Sequence, residues 1–215
     1  MIIHDDFRNH LDKFPSNGFV ISDPPYNQWY HYNDYKDTLD VDEYGMLLQD
    51  AFGGYKSVII SYPEEQLNIV SKVMTADWCE QSVSRVYNSN TAKQHRIVTW
   101  RNCSPDMSRI WQPYKNPTDK RIKKRIEQGK EARLYDRWEI NQVKNVSKKG
   151  NPHPCPIPYE LARRIVLLTT DVWDTVIDPF AGSWTILQAA KDLWREYLWF
   201  EIDKKYFDYM KSIWL

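Results

Sequence analysis

From Thr175 to Trp214 the chain alternates apolar runs with amphipathic stretches in an order that leaves few folds open. Thr175–Ile177 (TVI) and Tyr197–Phe200 (YLWF) read as strands on either side of Thr185–Trp194, a helix with Leu187, Ala190 and Trp194 facing inward. Lys204–Trp214 reads as a closing helix. Two strands joined through a helix lie parallel, because a crossover of that length cannot make a hairpin. The predicted architecture is therefore α/β with a mostly parallel, doubly wound sheet.

Upstream segments fit the same plan. Phe19–Ser22 (FVIS) and Ser57–Ser61 (SVIIS) are short apolar runs, the first stopped by two prolines. Pro63–Val73 reads as a helix with Leu67, Val70 and Val73 inward, and Gln81–Tyr87 and Arg96–Trp100 as further strands. A helix starts at Pro158, where the missing N–H costs nothing, and Leu161, Ile165 and Leu168 line one of its faces.

With 215 residues the chain can bury a core without staples. Cys79, Cys103 and Cys155 are an odd number without metal-ligand spacing, which argues against a disulfide scaffold and a structural zinc. No apolar stretch approaches a membrane span and the start does not resemble a signal peptide, so a soluble intracellular protein is expected. The 10 Trp and 14 Tyr suit stacking on planar ligands, although buried aromatics also simply fill cores.

Net charge is zero, yet it is unevenly spread. Residues 115–149 hold 12 basic and 5 acidic side chains, a local +7 that leaves −7 for the remainder. Such a segment reads either as a polyanion-binding element or as a solvated helix face. Its shortage of aliphatic residues puts it outside the main core.

Two predicted strand ends carry the candidate chemistry, because ligands of open α/β sheets bind beyond the carboxyl ends of strands. Asp178-Pro179-Phe180-Ala181-Gly182-Ser183 lies between strand and helix, where free N–H groups favour an anionic group. Glu201 ends the next strand, 23 residues after Asp178, a separation suited to an acid that binds ribose hydroxyls. The bland alternative makes Ser183 a helix cap and Glu201 a surface acid. Asp23-Pro24-Pro25-Tyr26 ends the other strand, and its prolines hold Asp23 and Tyr26 stiffly. A strand-ending turn would also accept Asp-Pro-Pro. An acid and an aromatic flanking two rigid residues suit an amino group on a planar ring: Tyr26 stacks on the ring, while Asp23 and a proline-held carbonyl accept the amine hydrogens.

Taken together, these motifs resemble those of the β-class DNA amino-methyltransferases, which methylate adenine N6 or cytosine N4. DPPY resembles their motif IV, His153-Pro154-Cys155-Pro156-Ile157-Pro158 their motif X, and DPFAGS their motif I, in the permuted order of that class. The resemblance implies a three-layer, Rossmann-like methyltransferase fold with an inserted target-recognition region. Residues 1–103 would carry the catalytic part, 104–150 the insertion, and 151–215 the cofactor-binding part. It implies S-adenosylmethionine as cofactor, held by Asp178, Phe180, Ala181, Gly182 and Ser183, with Glu201 on the ribose. His153 and Pro154 would sit beside the methionine moiety, and Asp6, or Asp5 one register away, would contact the cofactor's adenine.

The resemblance assigns catalysis to Asp23, Pro24, Pro25 and Tyr26, and Asp rather than Ser at the first position resembles the adenine-N6 branch. The expected reaction is direct methyl transfer to N6 of an adenine flipped out of double-stranded DNA, with no metal. Lys120, Arg121, Lys123, Lys124 and Arg125 would grip phosphates. Trp111, Tyr114, Tyr135 and Trp138 would wedge or stack, or, for Trp138 above all, form a small local core. A cytoplasmic location in a bacterial or phage-infected cell follows from the same resemblance, which also admits a homodimer. The family's second motif I glycine is replaced by Trp184, which either turns outward or narrows the methionine end of the pocket. Competing readings are a cytosine-N4 or RNA-directed enzyme, a silent nucleic-acid binder, and an unrelated nucleotide-binding protein.

Overall fold

The strands Ile2–His4 (β1), Phe19–Ser22 (β2) and Lys56–Ser61 (β3) are followed by Cys79–Tyr87 (β4) and His95–Arg101 (β5). After a small ribbon, Trp111–Gln112 (β6) with Ala132–Arg133 (β7), come Arg137–Asn141 (β8), Thr175–Asp178 (β9) and Glu196–Glu201 (β10). The α-helices are Val41–Phe52 (α1), Lys120–Glu127 (α2), Tyr159–Thr169 (α3), Thr185–Asp192 (α4) and Lys204–Trp214 (α5). This computed structural model describes residues 1–30, 32, 35–61, 79–87, 95–144 and 152–214. The helix expected over Pro63–Val73 lies outside them.

Eight strands form one sheet in the order β1-β10-β9-β2-β3-β5-β4-β8, in which β5 alone runs against the others. Alternate side chains of each strand face opposite layers. Val20, Ile59, Ile177 and Phe200 meet α1, together with Phe7 and Phe14 of the segment after β1. Ile21, Val58, Val176 and Trp199 meet α3 and α4 on the other face. A sheet covered on both sides explains why its strands read as unbroken apolar runs. The fold is three-layered α/β.

Winding direction reverses between β2 and β9: β2 leads to β3 on one side, and β9 leads to β10 on the other. Phe19 pairs with Val176 and Val20 with Ile177, so the two strands end side by side. Such a reversal opens a crevice at the carboxyl ends of the strands. Asp23-Pro24-Pro25-Tyr26 leaves one of those ends and Pro179–Trp184 leaves the other.

Three expectations are corrected. Within 104–150, α2 buries none of its residues, but β8 joins the main sheet beside β4, and Leu134, Trp138 and Ile140 belong to the core. Trp138 packs edge-on to Trp100 at 6.0 Å between ring centroids, so its partners are in the main core and not a local one. β8 does alternate buried and exposed residues (RWEIN), but over only five residues within a charged segment. The helix expected to reach Trp194 stops at Asp192, and Trp194 is 68% exposed, not inward. The chain turns there through a left-handed Trp194 (φ +62°), with the Arg195 N–H donating to the Ala190 carbonyl at 2.8 Å. That geometry usually recruits glycine.

Candidate active site

β2 ends in Ser22, whose hydroxyl donates to Asp178 at the end of β9, so the two strand ends are joined before either loop begins. Asp178 also accepts the Phe180 N–H at 3.0 Å, which curls the loop after β9. From there Gly182 takes a left-handed conformation (φ +45°), and its N–H donates to Glu201 Oε2 at 2.7 Å. A Cβ at Gly182 would lie 2.9 Å from His153 Nε2, so another residue here would displace the imidazole as well as strain the left-handed backbone. The other Glu201 oxygen accepts the Asp203 N–H at 2.8 Å.

Both loops open into one cavity of about 360 Å³. Asp23, Pro24, Pro25 and Tyr26 line it from the β2 side. From the β9 side it is lined by Asp178, Phe180, Ala181, Gly182 and Ser183, and from β10 by Glu201. Asp5, Asp6 and His153 complete the sequence-predicted lining. Pro154 follows His153 outside that lining, and the α2 cations stand on an exposed helix apart from it.

Electrostatics within the cavity are set by burial. Burial pushes the Asp178 and Glu201 carboxyls up to about 7, against the hydrogen bonds each accepts. It lowers His153 to about 4, leaving a neutral imidazole. Asp23 is also raised by burial, opposed by the charge of Arg96 and by hydrogen bonds from Tyr26 and Arg96. Asp6 caps the turn that follows it, accepting the Arg8 backbone N–H at 2.9 Å, and is held by the Arg8 side chain.

Several residues of the site carried no sequence signal. Arg96 Nη1 donates to Asp23 Oδ2 at 2.9 Å and Oδ1 at 3.1 Å and touches the Tyr26 hydroxyl, which itself donates to Asp23. Its guanidinium carbon stands 5.5 Å from the Tyr26 ring centroid. Because β5 is antiparallel, its first residues lie at the carboxyl end of β3, and that orientation is not written in the residues themselves. Asp37 is 1% exposed and accepts backbone N–H groups of Asn27, Gln28 and Tyr30, at 2.8, 2.9 and 3.2 Å, which shapes the loop after the tetrad. Tyr44 Oη donates to the Pro25 carbonyl at 2.8 Å and braces the tetrad from α1.

Trp184, the departure from the family's glycine pattern, precedes α4 in a left-handed conformation (φ +50°). Its ring lies 4.9 Å from that of Tyr209 on α5, outside the cavity lining. It has turned outward. Among the described residues no group of three or more His, Cys, Asp or Glu side chains is arranged to hold a metal ion, and no helix is long and apolar enough to cross a membrane.

Similarity to known proteins points the same way. The Type II methyltransferase M.HpaI of Haemophilus parainfluenzae is 24% identical over 90% of this chain and 66% of its own length. M2.DpnII of Streptococcus pneumoniae is 23% identical over 96% of this chain and 86% of its own. M.BglII of Bacillus subtilis is 30% identical, over 56% of this chain. The chain covers only 36% of the length of M.BglII. PvuII DNA methyltransferase, a cytosine-N4-specific enzyme, superposes with a TM-score of 0.68 at 15% identity, covering 100% of this chain and 86% of that one. M1.HpyAVI, solved as a complex with S-adenosylmethionine (SAM), gives 0.61 at 17% identity over 99% and 97%. These two likenesses establish the Rossmann-like methyltransferase fold. The DNA methylase family model, of the N6/N4 methyltransferase type, matches residues 18–212, and the chain belongs to that family.

Proposed function

We propose that this chain transfers the methyl group of S-adenosylmethionine to the exocyclic N6 of an adenine flipped out of double-stranded DNA. The observation that carries the reading is the common cavity: the Tyr26 ring and the Gly182 turn line one space at the point where the sheet's winding reverses.

The residues fit the cofactor. Gly182 offers backbone without a side chain, Glu201 lines the cavity with lone pairs for ribose hydroxyls, and Asp6 lines the same space and would take the adenine amine. His153, neutral and close against Gly182, bounds the methionine end. When bound, S-adenosylmethionine supplies an electrophilic methyl on a sulfonium.

The tetrad acts on the amine. Its nitrogen is a poor nucleophile while its lone pair is delocalised into the ring. Asp23 and a proline carbonyl accept the two amine hydrogens and turn that lone pair toward the methyl. Tyr44 Oη donates to the Pro25 carbonyl and so holds the proline backbone in place for this role. Bound S-adenosylmethionine would supply the methyl to that lone pair, its sulfur leaving as a neutral thioether, while Asp23 and the proline carbonyl hold the amine. The nitrogen then sheds one proton, for which Asp23 is the nearest acceptor. Tyr26 clamps the base by stacking, and most of the rate comes from positioning. Pairing of N6 within a duplex requires the base to be flipped.

The exposed helix α2 supports DNA as the substrate, since its cations are free of core packing and suited to phosphates. Sequencing of methylated sites in DNA from a methylation-free host expressing this chain tests the proposal. N6-methyladenine at a defined sequence, abolished by Asp23→Ala, is the expected result. N4-methylcytosine by mass spectrometry would reassign the base, and methylated RNA alone would reassign the nucleic acid.

A further inference from the structure

We infer that Arg96 is a positioning residue of the methyl-transfer site, holding the Asp23 carboxylate ionised and fixed so that both of its oxygens act only as acceptors. The inference rests on the reading that Asp23 receives the amine of the target base.

The geometry is specific. One guanidinium nitrogen of Arg96 reaches both Asp23 oxygens, at 2.9 and 3.1 Å, and the same nitrogen reaches the Tyr26 hydroxyl. Arg96 is itself 9% exposed, so this is a buried ion pair and not a surface contact screened by water. It comes from β5, the antiparallel strand, and so enters the crevice from a different element than either motif loop. A buried carboxyl without a counter-charge takes up a proton, and a protonated Asp presents an O–H to the amine where the reaction needs a lone pair. Burial raises Asp23, and the Arg96 charge is the largest opposing influence.

Among the described residues, the other groups facing Asp23 do not replace that charge. Tyr26 donates from its own loop and Asp178 of β9 is another acid, so neither brings a positive charge, and Cys155 and Tyr32 are held protonated by burial. Arg96 supplies the positive charge at this point. It also spans the acid and the ring that would clamp the base, fixing their separation: its guanidinium lies against the Tyr26 face while it bonds Asp23. The target amine then meets a carboxylate whose orientation is already set.

The test is the single-turnover rate of methyl transfer against pH for wild type, Arg96→Met, Arg96→Lys and Asp23→Asn, with carboxyl titration followed by infrared difference spectroscopy on the same proteins. In Arg96→Met the acid limb should move up by about 1–3 pH units, with about a tenfold or larger loss at pH 7 that recovers at high pH. Arg96→Lys keeps the charge, and its limb should stay near wild type while the rate falls through lost geometry. The infrared carboxyl band absent from Asp23→Asn should titrate at higher pH in Arg96→Met. It reports on Asp23 independently of turnover, and of Asp178. An unmoved limb and band in Arg96→Met would overturn the inference, as would a loss in that variant that no pH restores while S-adenosylmethionine affinity stays intact. If Arg96→Met does not fold, Arg96→Gln is read by the same two criteria. Wild type that methylates no DNA overturns the functional reading instead, and the infrared band still decides whether Arg96 ionises Asp23.

Discussion

The amide of Gly182 donates to Glu201 Oε2 at 2.7 Å, so the turn after β9 is tied to the end of β10 by the very carboxylate expected to hold the cofactor's ribose. One side chain therefore fixes the loop and faces the cavity. Glu201→Gln keeps the shape but leaves one oxygen where two N–H groups are now accepted, from Gly182 and Asp203. Losing a charge-assisted bond of this kind costs about 1.5–3 kcal/mol. Calorimetry should find S-adenosylmethionine affinity about 10- to 100-fold weaker in Glu201→Gln, and unaltered affinity would remove Glu201 from the cofactor site.

The same burial makes cofactor binding sensitive to pH near neutrality. Glu201 and Asp178 are both raised to about 7, above the ordinary carboxyl range. Ribose hydroxyls that donate to Glu201 favour its carboxylate, so binding below pH 7 must expel a proton. Affinity should therefore weaken as pH falls from 8 to 6, and calorimetry in buffers of different ionisation enthalpy should register proton release on binding.

Folding stability should run the other way. A carboxyl raised in the native state binds more protons there than in the unfolded chain between about 4 and 7, so stability declines as pH climbs through that window and levels off above it. Each such acid contributes a slope of at most about 1.4 kcal/mol per pH unit. Denaturant titrations at pH 5, 6 and 7 should show this slope reduced in Asp178→Asn relative to wild type; an equal slope would mean Asp178 does not titrate there.

Trp184 separates backbone from side-chain effects. It adopts a left-handed conformation that costs a non-glycine residue about 1–2 kcal/mol, and its ring packs on Tyr209. Trp184→Gly loses the packing but relieves the backbone, whereas Trp184→Ala loses the packing and keeps the strain. The glycine variant should be the more stable of the two by about 1 kcal/mol in chemical denaturation, with S-adenosylmethionine affinity close to wild type in both. The opposite order would show that strain at 184 is negligible.

How far the sequence reveals this arrangement depends on the range of the forces that build it. The motif loops are legible because each is local: two prolines fix Asp23 and Tyr26, and a strand–glycine–helix turn announces itself over a few residues. The convergence of Tyr26 with Gly182 follows from strand order, which the motif order of the resemblance supplied. Arg96 stayed hidden because its position follows from β5 running antiparallel, a pairing decided between strands. Asp37 stayed hidden for a related reason, since an acid in a polar loop gives no sign that three N–H groups will fold around it. Trp194 shows the limit of periodicity: the helical spacing continues to it, while the helix ends two residues earlier.

The helix α2 offers the sharpest division between binding and stability. Lys120, Arg121, Lys123, Lys124 and Arg125 lie on a helix that buries none of its residues and is capped by the Asp119 side chain, which accepts the Arg121 N–H at 2.9 Å. Changing all five to Gln removes charge without opening a cavity and keeps helix propensity, so the thermal midpoint should barely move. Binding to phosphates is different, because each contact releases condensed counterions and adds about 0.9 to the slope of log affinity against log salt. If three to five of these cations touch the backbone, the five-fold variant should lose a slope of about 2.7–4.5 and bind duplex DNA much more weakly at low salt. Cofactor affinity, set in the cavity at the carboxyl ends of β2, β9 and β10, should not change. An unaltered salt slope would show that α2 is a solvated face and that DNA is gripped elsewhere.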